Sequence, residues 1–89
     1  MKISYTTQFK KDYKRLKKQH KNLEKLKVVI ELLSTGIPLD PTYNDHPLSG
    51  NWKNHRDCHI EPDWILIYRI SELALVLERS GTHSELFKK

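Results

Sequence analysis

EPDWILIYRISELALVLERSG, residues 61–81, reads as a pair of strands around which the rest of the chain can be placed. Asp63 to Ile70 is a strand whose Ile65-Leu66-Ile67-Tyr68 centre is apolar on both faces, as in a central strand covered from two sides. Ser71-Glu72 makes a tight turn, and Leu73 to Arg79 returns with Leu73, Leu75 and Leu77 on one face and Ala74 and Val76 on the other. Gly81 breaks this strand, and Thr82 to Phe87 forms one last helical turn. On the N-terminal side, Trp52 to Ile60 is a further strand, joined through a turn at Glu61-Pro62. Such short connections imply an antiparallel meander.

Further upstream the pattern changes. Lys2 to Thr6 alternates polar and apolar residues, a short strand with Ile3 and Tyr5 on one side. Thr6 or Thr7 then caps a helix in which Phe9, Tyr13 and Leu16 recur on one face. Asn22 caps a second helix with Leu23, Leu26, Ile30 and Leu33 as its apolar stripe, and Gly36 followed by Pro38 stops it. Residues 37–51 contain Pro38, Pro41, Pro47 and Gly50 and read as a loop. The expected order is β-α-α-β-β-β: an α+β fold with an antiparallel sheet covered on one face by an N-terminal helical hairpin.

Eighty-nine residues make one domain, 1–89, and 37% hydrophobic with 30% charged residues is the balance of a folding chain. The longest apolar run, Trp64 to Tyr68, is far short of a membrane span, and no secretory signal is visible, so the expected location is cytoplasmic, without membrane contact. A lone Cys58 provides neither an internal disulfide nor a structural zinc site. Charge is unevenly spread. Residues 1–27 hold nine lysines and Arg15 against Asp12 and Glu24, a net of +8, while the other 62 residues hold 6 positive and 9 negative groups, a net of −3. A positive field of this kind attracts polyanions, nucleic acid or an acidic protein; equally, a lysine-rich helix face can serve solubility alone.

Four of the five histidines fall between Asp45 and Phe87, together with both tryptophans. Any single histidine there is most simply a polar surface residue. A metal site is a minor alternative: on a strand, His55 and His59 stand about 13 Å apart at about 3.3 Å per residue, too far to share an ion, although mixed sets such as His46, His59 and His83 can converge. Cys58 as a nucleophile is disfavoured, because successive strand side chains alternate and Cys58 points away from His59. The remaining reading is metal-free acid/base cleavage of RNA. Histidine suits both the removal of a 2′-hydroxyl proton and the protonation of a leaving 5′-oxygen, and arginine offers a fork of donors to phosphate. Trp64 and Phe87 can stack on bases, or can be core aromatics.

The set Asp45-His46-Pro47-Leu48 with Gly50 and Trp52, Arg56-Asp57 and His59, Glu61-Pro62-Asp63-Trp64-Ile65-Leu66-Ile67-Tyr68, Glu78-Arg79, Gly81-Thr82-His83 and Leu86-Phe87 resembles the YafQ branch of the RelE/ParE toxin superfamily over nearly the whole chain. The resemblance implies a RelE-like fold and a ribosome-dependent endoribonuclease, an mRNA interferase, that needs no cofactor or metal. It implies a cognate antitoxin protein as partner, commonly in a heterotetramer, and the ribosome with its mRNA as target. Carried over by motif, the catalytic positions are His46, His59, Asp63, Arg79 and His83, and the substrate-binding ones Trp64 and Phe87. His83 and Asp63 would be the principal proton-transfer groups, with His46 and His59 assisting. Arg79 would bear on the scissile phosphate, and Trp64 would shape the pocket or stack within it. Lys10, Lys11, Lys14, Lys17, Lys18 and Lys21 would grip ribosomal RNA. His55 matches no active-site position and is left as surface. The alternative from another class is a non-catalytic basic module that binds RNA, ribosome or protein, which would tolerate changes in the histidines but not in the lysine face.

Overall fold

Two polar side chains set the helical hairpin. Thr6 Oγ1 accepts the Phe9 amide at 2.9 Å and opens α1 (Thr7–Lys18), and Asn22 Oδ1 accepts the Glu24 amide at 3.2 Å and opens α2 (Leu23–Ser34). Gly36, with φ of +79°, closes α2 by donating to the Leu33 carbonyl at 3.1 Å, a backbone conformation that residues with a Cβ adopt at a penalty. The computed structural model describes residues 1–87. Its sheet comprises β1 (Lys2–Tyr5), β2 (His46–Pro47), β3 (Arg56–Glu61), β4 (Trp64–Ser71) and β5 (Ala74–Gly81), in spatial order β1-β5-β4-β3-β2, and α3 (His83–Leu86) follows β5.

The helical hairpin and the meander agree with the expectation from sequence; four details do not. β1 runs parallel to β5, so the sheet is mixed. The helical hairpin carries the chain away from β1, and no tight turn obliges β1 to run antiparallel to its neighbour. The loop 37–51 contains a two-residue strand, β2, which pairs with β3 through His46 and Asp57. Strand β3 starts at Arg56, because Gly50–Trp52 is a 3-10 turn and Asn54 takes a positive φ of +70°. Both hairpin turns lie one residue later than expected, at Pro62-Asp63 and Glu72-Leu73. Leu73 is therefore a turn residue, 83% exposed, and not part of the core face.

The helices cover one sheet face. Phe9, Leu16, Leu26 and Val29 meet Cys58, Trp64, Leu66 and Leu77 there, each at most 2% exposed. Burial of each large side chain contributes about 1.5–3 kcal/mol. The opposite face is smaller: Ile65 and Ile67 pack with Leu86, Leu48, Trp52 and Phe87. Strand alternation therefore sends Cys58 and Ile60 toward the helices and leaves Asp57 and His59 on the second face.

Beyond Tyr5 the edge of β5 has no strand partner, and side chains of α1 and of its cap, Thr6, take that place. Thr6 Oγ1 donates to the Glu78 carbonyl at 2.9 Å, Asp12 Oδ2 accepts the Ser80 amide at 3.1 Å, and Arg15 Nη2 donates to the Ser80 carbonyl at 2.7 Å. These bonds satisfy backbone groups that would otherwise be orphaned under the helix. Gly81 belongs to the same arrangement, since a Cβ there would lie 2.5 Å from Arg15 Nη2.

Candidate active site

The turn after β3 and the start of α3 bring Asp63 to His83. Asp63 Oδ1 accepts the His83 backbone amide at 3.0 Å and meets the ring Nδ1 at 2.7 Å. These two bonds, the amide first, hold the Asp63 carboxyl below its usual range. An ionised carboxylate only accepts, so Nδ1 of His83 carries hydrogen and Nε2 is left for another partner. Thr82 fixes the ring's position: it caps α3 and forms a reciprocal capping box with Glu85, with bonds of 3.1 and 2.8 Å.

His59 projects from β3 beside this pair. Its ring centroid lies 5.4 Å from that of His83 and 6.4 Å from that of His46, edge-on to both. Among the described residues His59 has no hydrogen-bond partner for its ring nitrogens. The His46 ring reaches in from β2, with Nδ1 2.8 Å from the Asn44 carbonyl and Nε2 3.1 Å from Asp57 Oδ1. That second contact has ion-pair distance, but Oδ1 gains no well-directed hydrogen bond from it. Asp57 is 3% exposed; burial pushes its carboxyl up, and the fields of His46, His59 and His83 draw it back. Behind β2, Asp45 accepts from the Tyr68 hydroxyl at 2.7 and 2.8 Å and from Arg56 Nε at 3.1 Å, which anchors the segment carrying His46. Phe87 closes the row, its ring centroid 6.3 Å from that of His83.

Five of the residues expected from sequence, His46, His59, Asp63, His83 and Phe87, thus form one row across the second sheet face. Two do not behave as expected. Trp64 is 1% exposed in the core under the helices, and its Nε1 donates to Ser80 Oγ at 3.0 Å, so it stacks on no base. Its position on β4 gives it the same facing as Leu66 and Tyr68, away from the histidines. The Arg79 guanidinium is turned to α1, where Nε and Nη2 donate to the Asp12 carboxylate at 2.7 and 3.1 Å. Burial alone would raise the Asp12 carboxyl; the bonds from Arg79, Arg15 and the Ser80 amide outweigh it and hold the group below its usual range.

His55 is more than surface. It packs edge-on against Trp52, with centroids 5.2 Å apart, and its Nε2 lies 3.3 Å from Glu78 Oε2, which also accepts from Arg69. Cys58 is buried, and burial pushes its thiol far up, which leaves it a poor nucleophile. No group of three or more potential metal ligands converges among the described residues. Lys10, Lys11, Lys14, Lys17 and Lys18 stand exposed along α1, whereas Lys21, in the turn after it, is half-buried with Nζ 5.9 Å from the Trp64 ring centroid. Asp57 was missed from sequence. The signal was its place two residues before His59, which puts both on one strand face.

The fold and this row define a small basic α+β domain with a histidine–carboxylate site on an open sheet face. The family model for a bacterial toxin of a type II toxin–antitoxin system, YafQ, matches residues 1–88, and the chain belongs to that family. It is 50% identical over 86 residues to the mRNA interferase toxin YafQ of Escherichia coli K12, covering 96% of this chain and 94% of that one. The crystal structure of YafQ from Escherichia coli BL21(DE3) superposes with a TM-score of 0.92 at 49% identity, over 96% of each chain. The toxin in the Escherichia coli DinJ–YafQ complex superposes with a TM-score of 0.88 at 50% identity, again over 96% of each.

Proposed function

We propose that this chain is an mRNA interferase that cuts ribosome-bound mRNA in the cytoplasm by acid/base attack of a ribose 2′-hydroxyl. The observation that carries the reading is the His83–Asp63 pair, 2.7 Å apart, with a second imidazole, that of His59, centred 5.4 Å away on the same open face. With Asp63 holding the hydrogen on Nδ1, His83 Nε2 accepts the 2′-hydroxyl proton, and the carboxylate steadies the imidazolium that forms. The 2′-oxygen bonds to phosphorus and the 5′-oxygen leaves, taking a proton from His59. The products are a 2′,3′-cyclic phosphate and a 5′-hydroxyl. Phe87, half-buried beside His83, offers a ring edge for the flanking base.

The exposed lysines of α1 would hold ribosomal RNA, which makes binding strongly salt-dependent. A cognate antitoxin silences the enzyme, by analogy with the partnered relative, and we take a heterotetramer as the resting complex. The test is a cleavage assay on programmed ribosomes with wild type, His83→Ala and free mRNA as control. Cleavage with ribosomes only, lost in the variant, supports the reading. Ribosome binding without cleavage by the wild type overturns it in favour of a binding module.

A further inference from the structure

The end of the histidine row that carries His83 holds the parts of a cation site. Asp63 Oδ1 meets His83 Nδ1 at 2.7 Å and accepts the His83 amide at 3.0 Å, which fixes the ring from one side and leaves the Nε2 lone pair unengaged. Metal-binding histidines are built this way: an outer carboxylate sets the tautomer, aims the ring and makes the free nitrogen more basic. A second imidazole, that of His59, stands beside it with centroids 5.4 Å apart, and among the described residues its nitrogens have no hydrogen bond to give up in turning toward an ion. Two imidazoles on one tetrahedral ion, with metal–nitrogen bonds of about 2.0–2.1 Å, have centroids about 5 Å apart. His46 stands aside, its centroid 6.4 Å from that of His59 and its Nδ1 taken by the Asn44 carbonyl at 2.8 Å. The His83 and Asp63 side chains are 50% and 67% exposed, so an ion can reach the pair from solvent. Among the described residues no third ligand converges, and water fills the remaining positions.

We propose that His83 Nε2 and the His59 imidazole form a two-histidine site for a borderline divalent ion of the zinc class, with Asp63 as its outer carboxylate, and that loading this site switches the enzyme off. The ion occupies the lone pair with which His83 takes the 2′-hydroxyl proton and holds His59 off the leaving oxygen. Imidazole favours such ions over Mg²⁺, which is bound through oxygen, so the Mg²⁺ that ribosomes require leaves the pair free. The inhibition rests on the nuclease reading; the binding does not.

Titration calorimetry with Zn²⁺ in Mg²⁺-containing buffer tests the binding, and the wild type should take one equivalent. Asp63→Asn should lose about 10- to 100-fold in affinity and His59→Ala and His83→Ala at least about tenfold, while His20→Ala and His55→Ala should match wild type. His59→Gln and His83→Gln serve where an alanine variant does not fold. In nitrogen NMR spectra Zn²⁺ should move the ring signals of His59 and His83 and spare those of His55. No binding by the folded wild type overturns the site, and so do equal losses in the His20 and His55 variants, which would mark scattered surface binding. The role is read from single-turnover cleavage. Toxin saturated with Zn²⁺ should cut at least about 100-fold more slowly, with the rate restored by a zinc-selective chelator. Binding without loss of rate defeats the inhibition. A wild type that does not cleave even without Zn²⁺ defeats the nuclease reading and the inhibition with it, while calorimetry still decides the site.

Discussion

Asp12 on α1 and Arg79 on β5 are joined by two hydrogen bonds, Nε to Oδ2 at 2.7 Å and Nη2 to Oδ1 at 3.1 Å, with the Asp12 side chain fully enclosed. The same carboxylate takes Arg15 Nη1 at 2.7 Å and the Ser80 amide at 3.1 Å. Asp12→Ala strands two guanidinium groups and a backbone donor, and should cost about 3–5 kcal/mol in urea unfolding. A loss below about 1 kcal/mol would show that water replaces the carboxylate without penalty.

Acid should expose the same group. Folding holds the Asp12 carboxyl below its ordinary value of 3.8, so its contribution is complete above about pH 4 and is lost as pH falls through the folded value. Asp57 has the opposite sign: its carboxyl is raised, so acidification favours the native state through that group. Melting temperatures measured from neutral to acidic pH should therefore fall less steeply for Asp12→Asn than for wild type. Parallel curves would refute the assignment.

Asp63→Asn should leave the fold intact and slow cleavage, because an amide can donate to Nδ1 and trap the ring in the unproductive tautomer. His83→Ala should do worse, by about 100- to 10,000-fold. Single-turnover rates of the two variants rank the roles; a rate for Asp63→Asn equal to wild type would reduce Asp63 to a helix-end contact.

Trp64→Phe separates core from substrate roles. It removes the bond to Ser80 Oγ and part of a buried ring, which should lower stability by about 1–3 kcal/mol. Cleavage per folded molecule should not change. A loss of rate in a fully folded sample would return Trp64 to the substrate pocket.

Replacing Lys10, Lys14, Lys17 and Lys18 by Gln should weaken ribosome binding and flatten its salt dependence, by about 0.7–0.9 in log–log slope for each phosphate contact removed. Binding isotherms across a salt series give that slope directly. An unchanged slope would assign these lysines to solubility.

The helices were legible because Thr6, Asn22 and Gly36 act locally, through one side-chain oxygen or one backbone angle each. The second hairpin turn was misplaced by one residue because Leu73 extends the apolar alternation of Leu75 and Leu77, although the chain has already turned, with Glu72 at a φ of +40°. The short β2 carries no periodicity at two residues and exists through its pairing with β3. In the site, His59, Asp63 and His83 could be named from residue type and family pattern. The direction of Arg79 and the burial of Trp64 depend on where α1 lies against β5, which no local pattern encodes.

Arg15 extends the α1 contact to α3: its Nε lies 3.2 Å from Glu85 Oε2, in the same helical turn that carries His83. The lysine-bearing helix and the imidazole proposed for proton transfer are thereby tied to one frame, like the two jaws of a caliper held at a set opening. On the proposed docking of α1 to ribosomal RNA, the point of scission would lie at a fixed offset from that helix. The choice of which phosphate is cut then belongs as much to the stiffness of that frame as to any pocket that reads a base.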